Sequence, residues 1–543
     1  MRSMTLSDPP REPTRTDRLL AALGGLISGY VSLAVAELVA AAVRPEAGPV
    51  TAVGGVVIDR TPAAIKNWAI RTFGESDKVV LQLGILAVLA ILAAAVGLLA
   101  LRHRRAGAGA VMAFGVLGAL AAVSRPDSSS AADALPSPAG AAVGALLLYV
   151  LIGRLLAPER SSPPGRLLAP ERSSPPGRTG APGRRNFLLV AASTAVAATG
   201  AATLGRALGG TRSQGAVASR DALRLPRPAS PAPAVPPGAQ LPVPGISPFI
   251  TPNKDFYRVD TALVVPKIDA DGWRLRIHGP GVTRELTLTL ADLTRREVIE
   301  RDITLACVSN EVGGPYVGNA RWLGVRLADL LREAGVRPPS AGGRADQLVA
   351  RSVDGMTIGT PVEEVMDGRD ALLAFGMNGT PLPFDHGFPV RMLVPGLYGY
   401  VSACKWIEEI EVTTFDAYDA YWVPRGWARE APVKTQSRID TPRPLARPKA
   451  GTLAVAGVAW AQHRGIERVE VRVDEGAWQD AELGAEDSRD TWRQWVYRWQ
   501  ATPGRHTLTV RATDGTGAVQ TERRADTMPD GASGWHTVVV TVE

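Results

Sequence analysis

Long, uninterrupted apolar runs dominate the first 210 residues, and short alternating ones dominate the rest. Runs of Ala, Leu, Val and Gly with few charges cover 19–43, 79–101, 106–123 and 139–156, and a fifth begins at Phe187. A bilayer core about 30 Å thick is crossed by about 20 apolar helical residues, so each run is a candidate span. The third and fourth are short for a span unless they are tilted or partly interfacial. The expected number is therefore four to six.

The period changes near residue 248. As far as about residue 414, strand patterns such as "WRLRIHG" and "ITLAC" mix with short helical patterns such as "VRLADLLREAG", whose Gly335 is placed to close the helix. This is an α+β signature. From about 433 the chain reads "IERVEVRVDEG", "QWVYRWQA", "RHTLTVRATDG" and "HTVVVTVE", separated by Gly, Asp and Pro turns. Strands at that spacing, with their own tryptophans, predict a β-sandwich.

The segments between these regions carry little periodicity. In 153–176 the twelve residues "GRLLAPERSSPP" occur twice in tandem, which reads as a flexible linker lengthened by duplication. "RLPRPASPAPAVPPGAQLPVPG", within 211–247, reads as a semi-extended spacer. The formal net charge is +7, but much of the excess lies in short loops between the apolar runs, a topology signal rather than a nucleic-acid signal. Arginines crowd the N-terminus, "RHRR" at 102–105 and the segment before the fifth run, all on one side of a bilayer. That side is expected to be cytoplasmic, with everything after the fifth span outside. "GRRNFLLVAASTAVAATGAATLG" resembles a twin-arginine signal inside the chain, with Arg184 and Arg185 as the pair. A basic flank on an ordinary membrane helix is the plain alternative. Glu37 is a carboxylate within an apolar run, a functional candidate unless it snorkels or faces a neighbouring helix.

Only two cysteines are present, Cys307 and Cys404, with no CxxC, CxxCH or Cys/His cluster. A lone cysteine is usually a small buried hydrophobe, and that reading suits Cys404. Cys307 has different neighbours. "CVSNEVGGPYVGNARWLGVRLADLL" and "LLAFGMNGTPLPFDHGFPVRMLVPGLYGYVSACKWIEEIEV" resemble the sulfite oxidase family of molybdopterin enzymes, and "TPNKDFYRVD" fits the motif that opens that family's domain. "GVAWAQHRGIERVEVRVDEGAW" looks like its immunoglobulin-like dimerisation domain, so the resemblance spans 248–543. It implies a molybdenum–molybdopterin cofactor with Cys307 as the metal ligand, a soft sulfur donor suited to such a metal. For the pterin and its phosphate it points to Asn253, Tyr257, Arg258, Asp354, His386, Arg391, Ser402 and Lys405, with Trp322 packing the loop beneath.

This chain departs from the sulfite-oxidising members of that family. Where they place arginine after the cysteine, Glu311 and Val312 follow, and Phe375 stands in place of a tyrosine. Cys307, Phe375 and Glu311 are thus the expected catalytic set, and an acidic residue beside the metal argues against a dianion such as sulfite. Six histidines, with only His103 in the apolar section, offer no haem pair between helices. No haem is expected, and electrons need a separate redox partner.

The expected architecture is therefore multi-domain: all-α transmembrane helices, an α+β sulfite-oxidase-type molybdopterin domain, then an immunoglobulin-like β-sandwich. The boundaries are a membrane region at 1–157, a basic Pro/Ser-rich cytoplasmic linker at 158–185, a fifth span at 186–209 and a Pro-rich linker at 210–247. The oxidoreductase domain follows at 248–432 and the sandwich, a possible homodimerisation surface, at 433–543. The expected function is a membrane-anchored molybdopterin oxidoreductase, multi-pass, N-terminus inside, acting outside the cytoplasmic membrane. A cofactor-free, membrane-tethered binding module on the same fold is the alternative from another class, and a transporter a third. Retention of Cys307 together with His386, Arg391 and Lys405 favours the enzyme.

Overall fold

The computed structural model describes residues 13–61, 65, 72, 77–125, 128, 130–156 and 182–543. Most of the expected linker 158–185, and the side chains of Arg184 and Arg185, lie outside the described residues. The chain forms two compact units, 1–212 and 213–543.

In the first unit the helices are α1 (Arg15–Val43), α2 (Pro49–Arg60), α3 (Asp77–Arg102), α4 (Arg104–Val123) and α5 (Pro136–Leu155), and α6 (Pro182–Ala222) begins there and ends beyond residue 212. Helix α1 opens on a capping box in which Thr14 and Asp17 satisfy each other's backbone amides. Among the described residues five helical stretches, within α1 and α3–α6 and the turn before α5, are long and apolar enough to cross a membrane. Small residues let the helices close up: a side chain at Gly25 or Gly97 would strike the backbone of the other helix of the α1–α3 pair. Gly48 leaves room for the carboxylate of Glu37, which a Cβ there would meet at 2.8 Å.

Helix α6 runs past the expected end of the fifth span, because the first proline is not reached until Pro226. The expected spacer at 210–247 is therefore helical as far as Ala222. Its remainder lies on the second unit instead of hanging free. The Ala229 amide donates to the Val298 carbonyl at 2.8 Å, and Glu300 donates to the Ser230 carbonyl at 2.9 Å. A proline-rich strip can still pair with an edge strand through the few amides and carbonyls it keeps free, which is where such residues are tolerated.

The second unit begins with two five-stranded sheets. Strands β1 (Arg274–His278), β2 (Leu286–Thr289), β5 (Gln347–Ser352), β6 (Thr357–Pro361) and β10 (Ile407–Thr413) form one, in the order β2-β1-β10-β5-β6. Strands β3 (Val298–Ala306), β4 (Val317–Arg326), β7 (Leu372–Met377), β8 (Thr380–Pro381) and β9 (Arg391–Leu393) form the other, with β8 and β9 both pairing β7. The helix Leu327–Glu333 follows β4, buries Leu327, Ala328, Leu330 and Leu331, and ends at Gly335, φ +79, as its sequence predicts. One core runs through both sheets and takes in Trp460 and Trp492 from the C-terminal region.

That region is rich in β structure. Strands β11 (Gln436–Thr441), β12 (Gly451–Trp460), β15 (Glu482–Leu483) and β16 (Arg493–Ala501) make one four-stranded sheet. Strands β13 (Ile466–Val473), β14 (Gln479–Asp480), β17 (Gly504–Asp514) and β18 (His536–Val542) make another, and a core with Trp495, Trp499, Val510 and Val540 lies between them.

Candidate functional site

Strand β3 is buried at each of its positions from Asp302 to Ala306, and Cys307 is the first residue beyond its end, buried and without a disulfide. The loop that follows folds back on the cysteine. The Cys307 amide donates to the Tyr316 carbonyl at 2.9 Å, the Asn310 amide to the Cys307 carbonyl at 3.0 Å, and the Tyr316 amide to Asn310 Oδ1 at 2.8 Å. With its main chain fixed on both sides, the residue presents Sγ as its remaining chemistry. Burial pushes the thiol up, opposed by bonds with Ser309 and by the charge of Lys405. The free protein therefore holds a neutral thiol, which a bound metal would deprotonate.

Arg391 opens β9, so the edge of a sheet delivers it. Its guanidinium lies 5.0 Å from the centre of the Trp322 ring and donates Nη1 to the His386 carbonyl at 3.2 Å. Arg391 is only 6% exposed, and among the described residues its Nε has no hydrogen-bond partner. Burial pushes its pKa down to about 10, against the favourable field of Tyr257. The Tyr257 phenol is itself raised far above its usual range, first by burial and then by Cys307. Cys307, Tyr257 and Arg391 thus share one poorly solvated neighbourhood.

His386 is buried on the short turn Phe384–His386, with its Nε2 2.9 Å from the Asn253 carbonyl. A carbonyl only accepts, so Nε2 carries the proton. Burial pushes this histidine down to about 4, opposed by the Asn253 bond, and it is neutral at ordinary pH. Lys405 donates Nζ to Asp260 Oδ2 at 2.7 Å and to the Asp385 carbonyl at 3.2 Å, and lies 4.5 Å from the Trp406 ring centre. Arg258 reaches the same Asp260 at 3.2 Å and the Asp385 carboxylate at 3.4 Å.

The other expected site residues have contacts of their own. Phe375, expected beside substrate, is fully buried on β7 among core side chains, because every position of that strand faces packed structure. Glu311 is exposed on the loop after Cys307, and its carbonyl accepts from Gly314. Asn253 uses its amide on the 377–380 hairpin and the side chain of Asn378. Ser402 is wholly buried, with its hydroxyl directed to the Leu397 and Tyr398 carbonyls of its own turn. Asp354 accepts from Thr261 at 3.0 Å. Cys404 is a core residue whose thiol burial pushes far up. Trp322 does pack beneath the site, edge-to-face with Phe256.

Sequence reasoning missed Asp260, the carboxylate that joins Arg258 to Lys405 across 145 residues of chain. Its one signal was its place at the end of "TPNKDFYRVD". Among the described residues no group of three or more His, Cys, Asp or Glu is placed to hold a metal with protein ligands alone.

Residues 262–422 match the family described as "Oxidoreductase molybdopterin binding domain". Mitochondrial sulfite oxidase of Rattus norvegicus is 32% identical over 293 residues, covering 46% of this chain and 52% of that protein. Sulfite oxidase of Gallus gallus is 33% identical over 296 residues, 47% of this chain and 63% of that one. The sulfane dehydrogenase SoxCD of Paracoccus pantotrophus is a solved structure similar at 26% identity and a TM-score of 0.47, over 54% of this chain and 83% of that chain. The chain thus spans about half the length of the mammalian relatives it matches. With identity of about a third to two vertebrate sulfite oxidases and the domain match on 262–422, the chain is similar to the sulfite oxidases and carries a molybdopterin-binding oxidoreductase domain.

Proposed function

We propose that the chain is a membrane-anchored, molybdenum-cofactor-dependent oxidoreductase acting outside the cytoplasmic membrane, with Cys307 as the metal ligand. The observation that carries the reading is a buried, unbridged thiol and a buried cation whose Nε has no partner among the described residues, both acting on the buried phenol of Tyr257. A core arginine of that kind costs stability unless an anion meets it, and a soft thiolate suits a metal already bound through sulfur. The residues therefore fit a phosphate-bearing, sulfur-ligated molybdenum cofactor. Such a cofactor, when bound, supplies two-electron or oxygen-atom transfer.

The chain's own part is to bind, orient and exclude water. Arg391 offers charge-assisted donors for the phosphate or ring edge. His386 is fixed by the Asn253 carbonyl as a neutral ring protonated on Nε2. Lys405 and Arg258 are both held by Asp260, which neutralises part of their charge. The net field there is less positive than a count of cations implies, which supports a neutral or cationic, partly apolar substrate, such as a sulfoxide or N-oxide, over a small dianion. Electrons pass through a separate redox partner, and the C-terminal region is an immunoglobulin-like dimerisation domain. In this reading 1–157 and 186–209 anchor the chain, 248–432 carries the chemistry, and positive loops hold the N-terminus inside.

The test is Cys307→Ser, which keeps the volume roughly and replaces a soft donor with a hard one. Molybdenum-edge absorption should lose one sulfur neighbour, with activity falling to background, while Cys404→Ser keeps both. Identical spectra for wild type and Cys307→Ser would overturn the assignment.

A further inference from the structure

The loop that carries Cys307 turns at Gly313–Gly314, and this corner is held by the C-terminal β region, not by the sheet that bears the cysteine. Gly313 has φ +80, and a Cβ there would collide with Cδ2 and Nε2 of His536, so the imidazole edge lies directly against the backbone. Arg438 donates Nη1 to the Gly314 carbonyl at 2.8 Å. It is itself fixed on two further sides, by Asp440 Oδ1 at 2.7 Å and Ser247 Oγ at 2.9 Å. His536 is fixed by its Nδ1, which accepts the Ile439 amide at 3.0 Å. Both grips therefore come from β11 and β18, two strands already locked into their sheets.

The path from this corner to the thiol is short and bonded at each step. The Gly314 amide donates to the Glu311 carbonyl at 2.8 Å, Asn310 Oδ1 accepts from Tyr316, and the Tyr316 carbonyl accepts from Cys307. A Cβ on Gly314 would lie 2.6 Å from Asn310 Oδ1, so the turns are packed without slack. Movement of the corner must then move the main chain of Cys307, since turns closed by several bonds shift as a body.

We propose that His536 and Arg438 are positioning residues that set where the Cys307 sulfur stands, an inference that rests on Cys307 being the metal ligand. The C-terminal region then does more than pack against the core, because it tunes the metal–sulfur bond through the backbone of a loop in another part of the unit. Displacements of about 1 Å from changes far from the chemistry can cost about a hundredfold in rate, so a grip of this kind has a function to serve.

The test uses the full-length protein with its cofactor loaded and three variants. His536→Asn keeps an acceptor for the Ile439 amide but removes the ring edge that meets Gly313. Arg438→Lys keeps the charge and loses the three-sided fixation, and Gly313→Ala presses on the same corner from the loop side. Metal content, the molybdenum-edge sulfur shell, the electron-spin signal of the one-electron-reduced metal and the unfolding temperature are measured on each. The expected result is bound metal with a broadened sulfur shell and shifted spin-signal g-values in all three. A merely structural role would lower the unfolding temperature and leave both metal spectra as in wild type, and that result overturns the proposal. If His536→Asn fails to fold, Gly313→Ala decides by the same two spectra. Cys307→Ser run in parallel separates the two claims. If it leaves the sulfur shell unchanged, the ligand assignment has failed; if it removes a sulfur while the three variants match wild type, only the positioning role has.

Discussion

Replacing Arg391 with methionine should have opposite consequences with and without cofactor. Burial moves this guanidinium from its usual value down to about 10, and at about 1.4 kcal/mol per tenfold the fold disfavours the cation by about 3 kcal/mol. Against that, methionine loses the stacking on Trp322, worth about 1–2 kcal/mol when desolvated, and one long bond to the His386 carbonyl, worth about 1.5 kcal/mol. The two sides nearly cancel, so cofactor-free Arg391→Met should differ from wild type by less than about 1–2 kcal/mol. A buried cation with full partners would instead cost about 3–5 kcal/mol on removal. With cofactor the deficit appears, since two charge-assisted bonds at about 1.5 kcal/mol each correspond to roughly a hundredfold weaker retention. Thermal unfolding of the detergent-solubilised protein in both states, with pterin fluorescence for retention, reads both quantities. A loss above about 3 kcal/mol in the cofactor-free protein, or retention equal to wild type, would show that the guanidinium is structural and refute the reasoning.

Other consequences are simpler to test. His386 is held neutral, its folded pKa near 4 lying below the unfolded 6.5, so its contribution is complete above about pH 6.5 and is lost as pH falls toward 4. The loss reaches about 3 kcal/mol and should be absent from His386→Gln; an unchanged pH slope in that variant would exclude the effect. Asp487, pushed up to about 6 by burial, works in the opposite sense as pH falls through 6 and is common to both proteins. An exposed carboxylate beside the loop should weaken binding of anions by about 1 kcal/mol per unit charge, so Glu311→Gln should lower a sulfite KM about fivefold or more and leave a neutral sulfoxide unaffected. Micromolar sulfite turnover by wild type, abolished in Cys307→Ser, would contradict the substrate preference. Lysine at both Arg184 and Arg185 should block export of cofactor-loaded protein while keeping the charge. Trypsin added to intact spheroplasts should cut within the exposed stretch 521–526, and complete protection would reverse the orientation.

The sequence by itself determined what depends on local pattern. Apolar runs about 20 residues long fix five of the membrane-length helices, because burial of that length needs no partner to be specified. Period-two alternation located β1, β3, β13, β16, β17 and β18, and Gly335 marked a helix end because only glycine takes its φ cheaply. Resemblance in four motifs brought forward Cys307, His386, Arg391 and Lys405. The tertiary structure decided what depends on distant partners. Lys405 and Arg258 meet at Asp260, Phe375 disappears into a core strand, and the Pro-rich strip bonds along the edge strand β3, as donor and as acceptor, instead of forming a free tether. The grip of Arg438 and His536 on Gly313–Gly314 joins residues more than 120 positions apart. No local pattern encodes such a contact, because a hydrogen bond or ring contact across that separation is selected by the packing of whole sheets and not by the residues on either side of it.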